Sequence, residues 1–270
     1  NLLRRQVRSF LVERGYCEVL SSALARSEEV AKVRLHVPAG PDAVGYRQSL
    51  LPGLGRAAAR NISRGQTDLK LFELGRVSTS GGQEEMVLGL MVTGRERLVD
   101  WQEGEVQSDR FSLQGIWQEL VKRFPGWGPA VTLREMSPVE KKSAGVKGTI
   151  WLAEGKVTLG KAQVTSYEAL SIFPGVQRDL ALVLPEKVSF AEVEKAIRAV
   201  SPAEMESLSV FDRFQDGTGK KVPLGFLSLG CRLHFRSSAR TLTEEEVSGW
   251  EKKILQSLTT RCEAKLRAVL

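Results

Sequence analysis

Over the last hundred residues the apolar side chains alternate between two spacings, and the order in which they do so leaves few folds open. "RDLALVL" repeats its leucines at every second position, as a half-buried strand does. "SFAEVEKAIRAV" instead sets Phe190, Val193, Ile197 and Val200 on one helical face. It opens with Ser189 and Glu192 in capping-box positions, with Val188 and Val193 as the hydrophobic staple. Two strands follow, "ESLSVFDRF" and "FLSLGCRLHF". A second capping box, Thr243 with Glu246 and the staple Leu242 with Val247, then starts a helix that buries Val247, Trp250, Ile254 and Leu258. "AKLRAVL" closes the chain as a last strand. The order β-α-β-β-α-β is the ferredoxin-like split arrangement.

In that arrangement both helices cover one sheet face, so each strand should carry an apolar side and a free side. In the fourth of these elements Leu227, Leu229, Cys231, Leu233 and Phe235 form the apolar row, and Phe226, Ser228, Gly230, Arg232, His234 and Arg236 the free one. On the preceding strand, unbroken alternation points Leu208 and Val210 inward and Ser209, Phe211 and Arg213 outward; a bulge would reverse the later positions. Between 213 and 240, Arg213, Lys220, Lys221, Arg232, Arg236 and Arg240 face the single acid Asp216. Rings, a hydroxyl and guanidinium groups together suit single-stranded nucleic acid, whose bases stack and whose phosphates need neutralising. Solvated loop charges would give the same composition. "GTGKK" is a glycine turn and not a phosphate loop, because Phe214 and Lys221 stand where that motif needs Gly and Ser or Thr.

Upstream, Leu3, Val7, Phe10 and Leu11 share a helical face that ends at Gly15. "EVLSSAL" and "VRLHV" read as short strands, "LPGLGRAAARNIS" as a helix entered at proline, and "LKLFELGRV" and "MVLGLMV" as buried strands around a glycine turn. "SLQGIWQELVKRF" makes a helical stripe, and "GTIWLAEGKVTLGKA" a hairpin about its glycine. The class is α+β, with a boundary near Ser171 between a domain of residues 1–170 and one of 171–270. Three cysteines, odd in number and widely separated, with only two histidines beside them, assemble neither a disulfide framework nor a metal site. No run of residues is apolar enough to span a membrane, and a cytoplasmic location is expected. The net charge of +7 permits a polyanionic partner without requiring one.

"FPGVQRDLALVL", "FDRFQDGTGKK", "SLGCRLHF" and "RTLTEEEV", in this order, resemble the ferredoxin-fold anticodon-binding domain of the phenylalanyl-tRNA synthetase beta subunit. "YRQSLLPGLGRAAARN", "LKLFELGRV" and "VTGRERLVDW" resemble the catalytic-like domain before it. The resemblance implies a class II synthetase-like antiparallel sheet domain that performs no catalysis, then a domain that holds the anticodon of tRNA(Phe). It further implies an alpha subunit that carries ATP and magnesium and assembles as an α2β2 tetramer, with no cofactor or metal on this chain. Arg76 follows "FELG", yet no second ATP-gripping arginine comes later in a fitting context. The family's anticodon contacts fall on Asp212, Phe214 and Ser228; the alternation above points the first two inward, so both sets stand as candidates. Phe211, Arg213, Arg232, His234, Arg178 and Arg240 complete the expected tRNA-binding group. Leu3, Val7, Phe10 and Arg47 are expected at a subunit interface. The family's large N-terminal domains are not represented, so the chain is expected to be a fragment, with a shortened passage near residues 160–175. A free-standing RNA-binding or assembly protein that reuses these domains is the alternative.

Overall fold

The computed structural model describes residues 2–25, 40, 44–79, 81–97, 104–124, 127–128, 131–158 and 171–267. The chain divides into two units, residues 1–165 and 166–270. The first runs α1 (Leu2–Val12), β1 (Cys17–Glu18), β2 (Leu24–Ala25), β3 (Gly45–Tyr46), α2 (Leu51–Ile62), β4 (Leu69–Ser78), β5 (Glu84–Thr93), α3 (Arg110–Arg123), β6 (Thr132–Glu135), α4 (Pro138–Ala144) and β7 (Ile150–Lys156). Its main sheet has the order β1-β4-β5-β7-β6, parallel between β1 and β4 and antiparallel elsewhere. "MVLGLMV" is apolar without a break because helices cover both faces of this sheet. Leu88, Leu90 and Val92 pack with α1 and α3 on one side, while Met91 packs with α2 and α4 on the other.

Several expectations need correction. Leu3, Val7 and Phe10 are interior residues of the first unit: Val7 is 0% exposed, and the Phe10 ring meets Phe124 edge-on at 6.2 Å. The apolar stripe of α1 is used up by the sheet beneath it. Arg47 is likewise consumed. Its Nη1 donates to Glu73 Oε1 at 2.6 Å and to Ser21 Oγ at 2.8 Å, and its Nε donates to the Arg76 carbonyl at 3.0 Å. The hairpin expected about Gly155 is a single strand: β7 runs through that glycine, which pairs with Leu88 of β5. A glycine inside a ladder is sterically easy, and nothing at that position forces a turn. "VRLHV" and part of the segment after β7 lie outside the described residues. The sequence reading passed over β6 and α4, although Ser137 and Glu140 form a capping box as regular as the two it used.

The second unit runs β8 (Val176–Pro185), α5 (Phe190–Arg198), β9 (Met205–Phe214), β10 (Phe226–Phe235), α6 (Glu244–Cys262) and β11 (Lys265–Leu266). It is the βαββαβ fold read from the spacing, with the antiparallel order β11-β8-β10-β9. Both capping boxes are made: Ser189 accepts from the Glu192 amide, and Thr243 from that of Glu246. Leu180, Leu182 and Leu184 of β8 meet the odd row of β10 and Val193, Ile197, Val247, Ile254 and Leu258 of the two helices. Ser257 Oγ donates to the Ala196 carbonyl at 2.8 Å and pins α6 to α5.

Because Phe10 is core, Phe10→Ala should cost the first unit about 3–5 kcal/mol, the usual toll for emptying an aromatic site. Urea denaturation of the chain with no partner added checks this, since an interface residue would leave the isolated chain's midpoint unchanged.

Candidate functional site

On the side of the second unit away from α5 and α6, β10 presents Phe226, Ser228, Gly230, Arg232 and His234, the row opposite its buried Leu227, Leu229, Cys231, Leu233 and Phe235. Their partners on β8 are Pro185, Val183, Ala181, Asp179 and Gln177. On β9 the register breaks. Cys231 pairs with Val210 but Gly230 with Asp212, so Phe211 is an extra residue in a bulge. Past the bulge the sides exchange. Asp212 and Phe214 lie across from Gly230 and Ser228 on the open face, while Arg213 lies across from Leu229 in the inward row. Unbroken alternation had these three the other way round, and the bulge is the reason for the difference.

Gly230 explains why the bulge is tolerated. A Cβ built there would stand 2.8 Å from both Cε2 and Cζ of Phe211 and 3.1 Å from Asp212 Cβ, so the ring lies where a side chain would be. A second break, between His234 and Phe235, frees Glu206, whose Oε2 sits 2.6 Å from His234 Nδ1. Each irregularity of β9 thus brings its extra side chain against the open row of β10. Phe211 is 54% exposed and Phe214 37%, which leaves two adjacent rings facing solvent.

The charges on and near this face divide into engaged and free. Arg232 donates from Nε and Nη2 to the two carboxylate oxygens of Asp179, at 2.8 and 2.7 Å. That hydrogen bonding holds the Asp179 carboxyl below its ordinary range, so the pair is ionised at neutral pH. The Arg232 guanidinium also lies 5.2 Å from the Phe211 ring centre. Among the described residues, the side chains of Arg213, Lys220 and Lys221 have no ion-pair partner. The loop carrying both lysines is shaped by Asp216, which accepts from the Thr218 hydroxyl and amide and from the Lys221 amide at 2.6, 2.8 and 2.6 Å.

Of the expected residues, the fold therefore gathers Phe211, Asp212, Phe214, Ser228, Arg232 and His234 on one face. Ser228 is only 2% exposed, between Phe214 and Val183, so its hydroxyl is covered. Arg178 is not brought there: it pairs with Leu233 in the helix-facing row and is bound to Glu244 and Glu251 of α6. Arg240 stands in the loop before α6, its Nη1 donating to Glu246 at 2.8 Å. Sequence reasoning missed Asp179 and Glu206, and it placed Gly230 on the open row without a role. Only Gly230 carried a signal, as a glycine inside an apolar strand.

Two family descriptions divide the chain between them. Residues 171–267 match "Ferredoxin-fold anticodon binding domain", and residues 1–150 match "Phenylalanyl tRNA synthetase beta chain CLM domain". The chain belongs to the phenylalanyl-tRNA synthetase beta chain family. Among its curated relatives, the phenylalanine–tRNA ligase beta subunit of Synechococcus sp. is 27% identical over 98% of this chain and 36% of its own length. The same subunit from Streptococcus pneumoniae is 27% identical over 98% of this chain and 38% of its own. The chain spans a little over a third of the length of these beta chain relatives. Among solved structures, a pyrrolysyl-tRNA synthetase from Desulfitobacterium hafniense overlays 57% of this chain and 65% of its own, at a TM-score of 0.43 and 12% identity.

Arg240 and the capping residue Glu246 give this unit a pH signature. Hydrogen bonding to Arg240, and then to Thr243, holds the Glu246 carboxyl down from 4.5 to about 2. A group depressed in the folded state stabilises fully above its unfolded value and loses that contribution as pH falls through the folded one. Thermal unfolding of the second unit should therefore shift downward between pH 4.5 and about 2, and Arg240→Ala should shrink that shift. An undiminished acid shift in the variant would place its origin in other carboxylates.

Proposed function

We propose that the chain acts within a phenylalanine–tRNA ligase as the part of the beta subunit that supports a catalytic alpha subunit in an α2β2 assembly and holds the anticodon region of tRNA(Phe). The observation that carries the second half is the pair of exposed rings, Phe211 and Phe214, on a strand that leads into the loop of the unpaired cations Lys220 and Lys221. Stacking on aromatic faces is worth about 1–3 kcal/mol per base and suits every base, whereas phosphate contacts supply attraction without sequence. Asp212, on the open face between those rings in sequence, can accept from a base amine and so contribute choice of base. Lys220 and Lys221, exposed in the loop after β9, are the cations available to phosphates. Ser228 can reach a base only if Phe214 moves aside.

In the same reading the first unit is a scaffold, and ATP and magnesium belong to the alpha chain. Arg76 Nη1 donates to Glu84 at 2.8 Å, and Arg47 is bound to Glu73. Among the described residues, no group of three or more His, Cys, Asp or Glu is placed to hold a metal ion. No helix among them is long and apolar enough to cross a membrane.

Three measurements test the proposal. The chain alone should give no ATP–pyrophosphate exchange with phenylalanine; exchange in a preparation free of alpha subunit would contradict it. In the assembled ligase, Phe214→Ala should raise KM for tRNA(Phe) by about tenfold, the loss of one stacked base, with the salt dependence of binding unchanged. Lys220→Ala combined with Lys221→Ala should instead flatten the log–log salt slope by roughly 0.7 for each phosphate no longer neutralised. A charging reaction indifferent to all of these variants, in a folded enzyme, would remove the face from tRNA recognition.

A further inference from the structure

Arg232 is the most conspicuous cation of the open face, and its surroundings argue against a direct contact with phosphate. Its Nε and Nη2 are both spent on the two oxygens of Asp179, at 2.8 and 2.7 Å. A phosphate would have to compete with a bidentate carboxylate held in the adjacent strand by the sheet register, Arg232 opposite Asp179. What the guanidinium does have beside it is the ring of Phe211, 5.2 Å from its carbon to the ring centre. That ring belongs to the bulge and lies over Gly230, where a Cβ would stand 2.8 Å from its edge.

Resting on the tRNA-binding reading above, we propose that Asp179, Arg232 and Gly230 are positioning residues that preset the Phe211 ring as a stacking platform, and that none of the three touches the RNA as a ligand. Asp179 aims the guanidinium, the guanidinium braces the ring by a cation–π contact, and the missing side chain of Gly230 gives the ring its seat. A ring on a bulged edge strand would otherwise sample several rotamers, and each must be given up when a base stacks. Holding one in advance lowers that cost at the moment of binding. The same bulge turns Asp212 and Phe214 to the open face, so the seat of Phe211 also sets the residues on either side of the platform.

The test is a set of variants in the assembled ligase, read as KM for tRNA(Phe), kcat and the salt slope of tRNA binding. Asp179 is half exposed, so Asp179→Ala leaves the core untouched. It should raise KM about three- to tenfold with kcat and salt slope unchanged, and it should add nothing in a Phe211→Ala background, because its effect passes through that ring. Gly230→Ala should raise KM at least as far. If Arg232 is instead a phosphate ligand, Asp179→Ala frees it, KM falls and the slope steepens by roughly 0.7; that result overturns the proposal. If Phe211→Ala raises KM while Asp179→Ala changes nothing, or adds fully to it, the platform binds RNA without this brace and the proposal fails alone. If neither Phe211→Ala nor Phe214→Ala alters KM, the tRNA-binding reading of the face fails, and this inference with it.

Discussion

The open face of the second unit depends on an aromatic ring lying where a neighbouring strand has no side chain. Phe211 occupies the space above Gly230, and that one contact accommodates an extra residue in β9. All that follows it in the strand is turned over. Without the bulge, Phe214 would fall in the helix-side row and Arg213 in the open one; with it, the two rings and Asp212 come together. β9 is the edge strand of its sheet, where a break in the ladder costs least and where bulges are most often found.

The rest of the unit gives this edge something rigid to be bent against. β10 is buried on its odd row by leucines and Phe235, and β8 supplies Leu180, Leu182 and Leu184 to the same layer. The helices above are fixed at their starts by capping boxes and to each other by Ser257. A site on a sheet face inherits the precision of that core, so a local irregularity can aim side chains without loosening the fold. In the first unit, by contrast, burial has consumed the groups that looked available. The stripe of α1 is interior, and Arg47 is locked to Glu73 and Ser21.

The βαββαβ order was legible because period, capping boxes and staples all agreed within the same hundred residues, and agreement across levels is what makes a local reading trustworthy. The free row of β10 was legible for the same reason. Two things were not. Register past Phe211 depends on a contact between strands, ring against glycine, that no spacing within either strand encodes. Whether a surface-looking arginine is free depends on what the fold sets beside it: Arg232 meets Asp179 from 53 positions away, and Arg178 meets Glu244 from 66. Leu3, Val7 and Phe10 were correctly seen as one apolar face, but a sequence alone does not say whether such a face meets its own sheet or another chain.

The claim that most of this rests on is the reversal of sides along β9. It can be tested directly by placing a photoreactive phenylalanine analogue at position 214 or at position 213 of the assembled ligase and mapping ultraviolet crosslinks to tRNA(Phe). The account predicts crosslinks from position 214 into the anticodon loop and none from position 213, whose side chain starts in the inward row opposite Leu229. Crosslinks from 213 and silence from 214 would mean that the strand alternates without a break, and that the bulge at Phe211 does not set the face that meets the RNA.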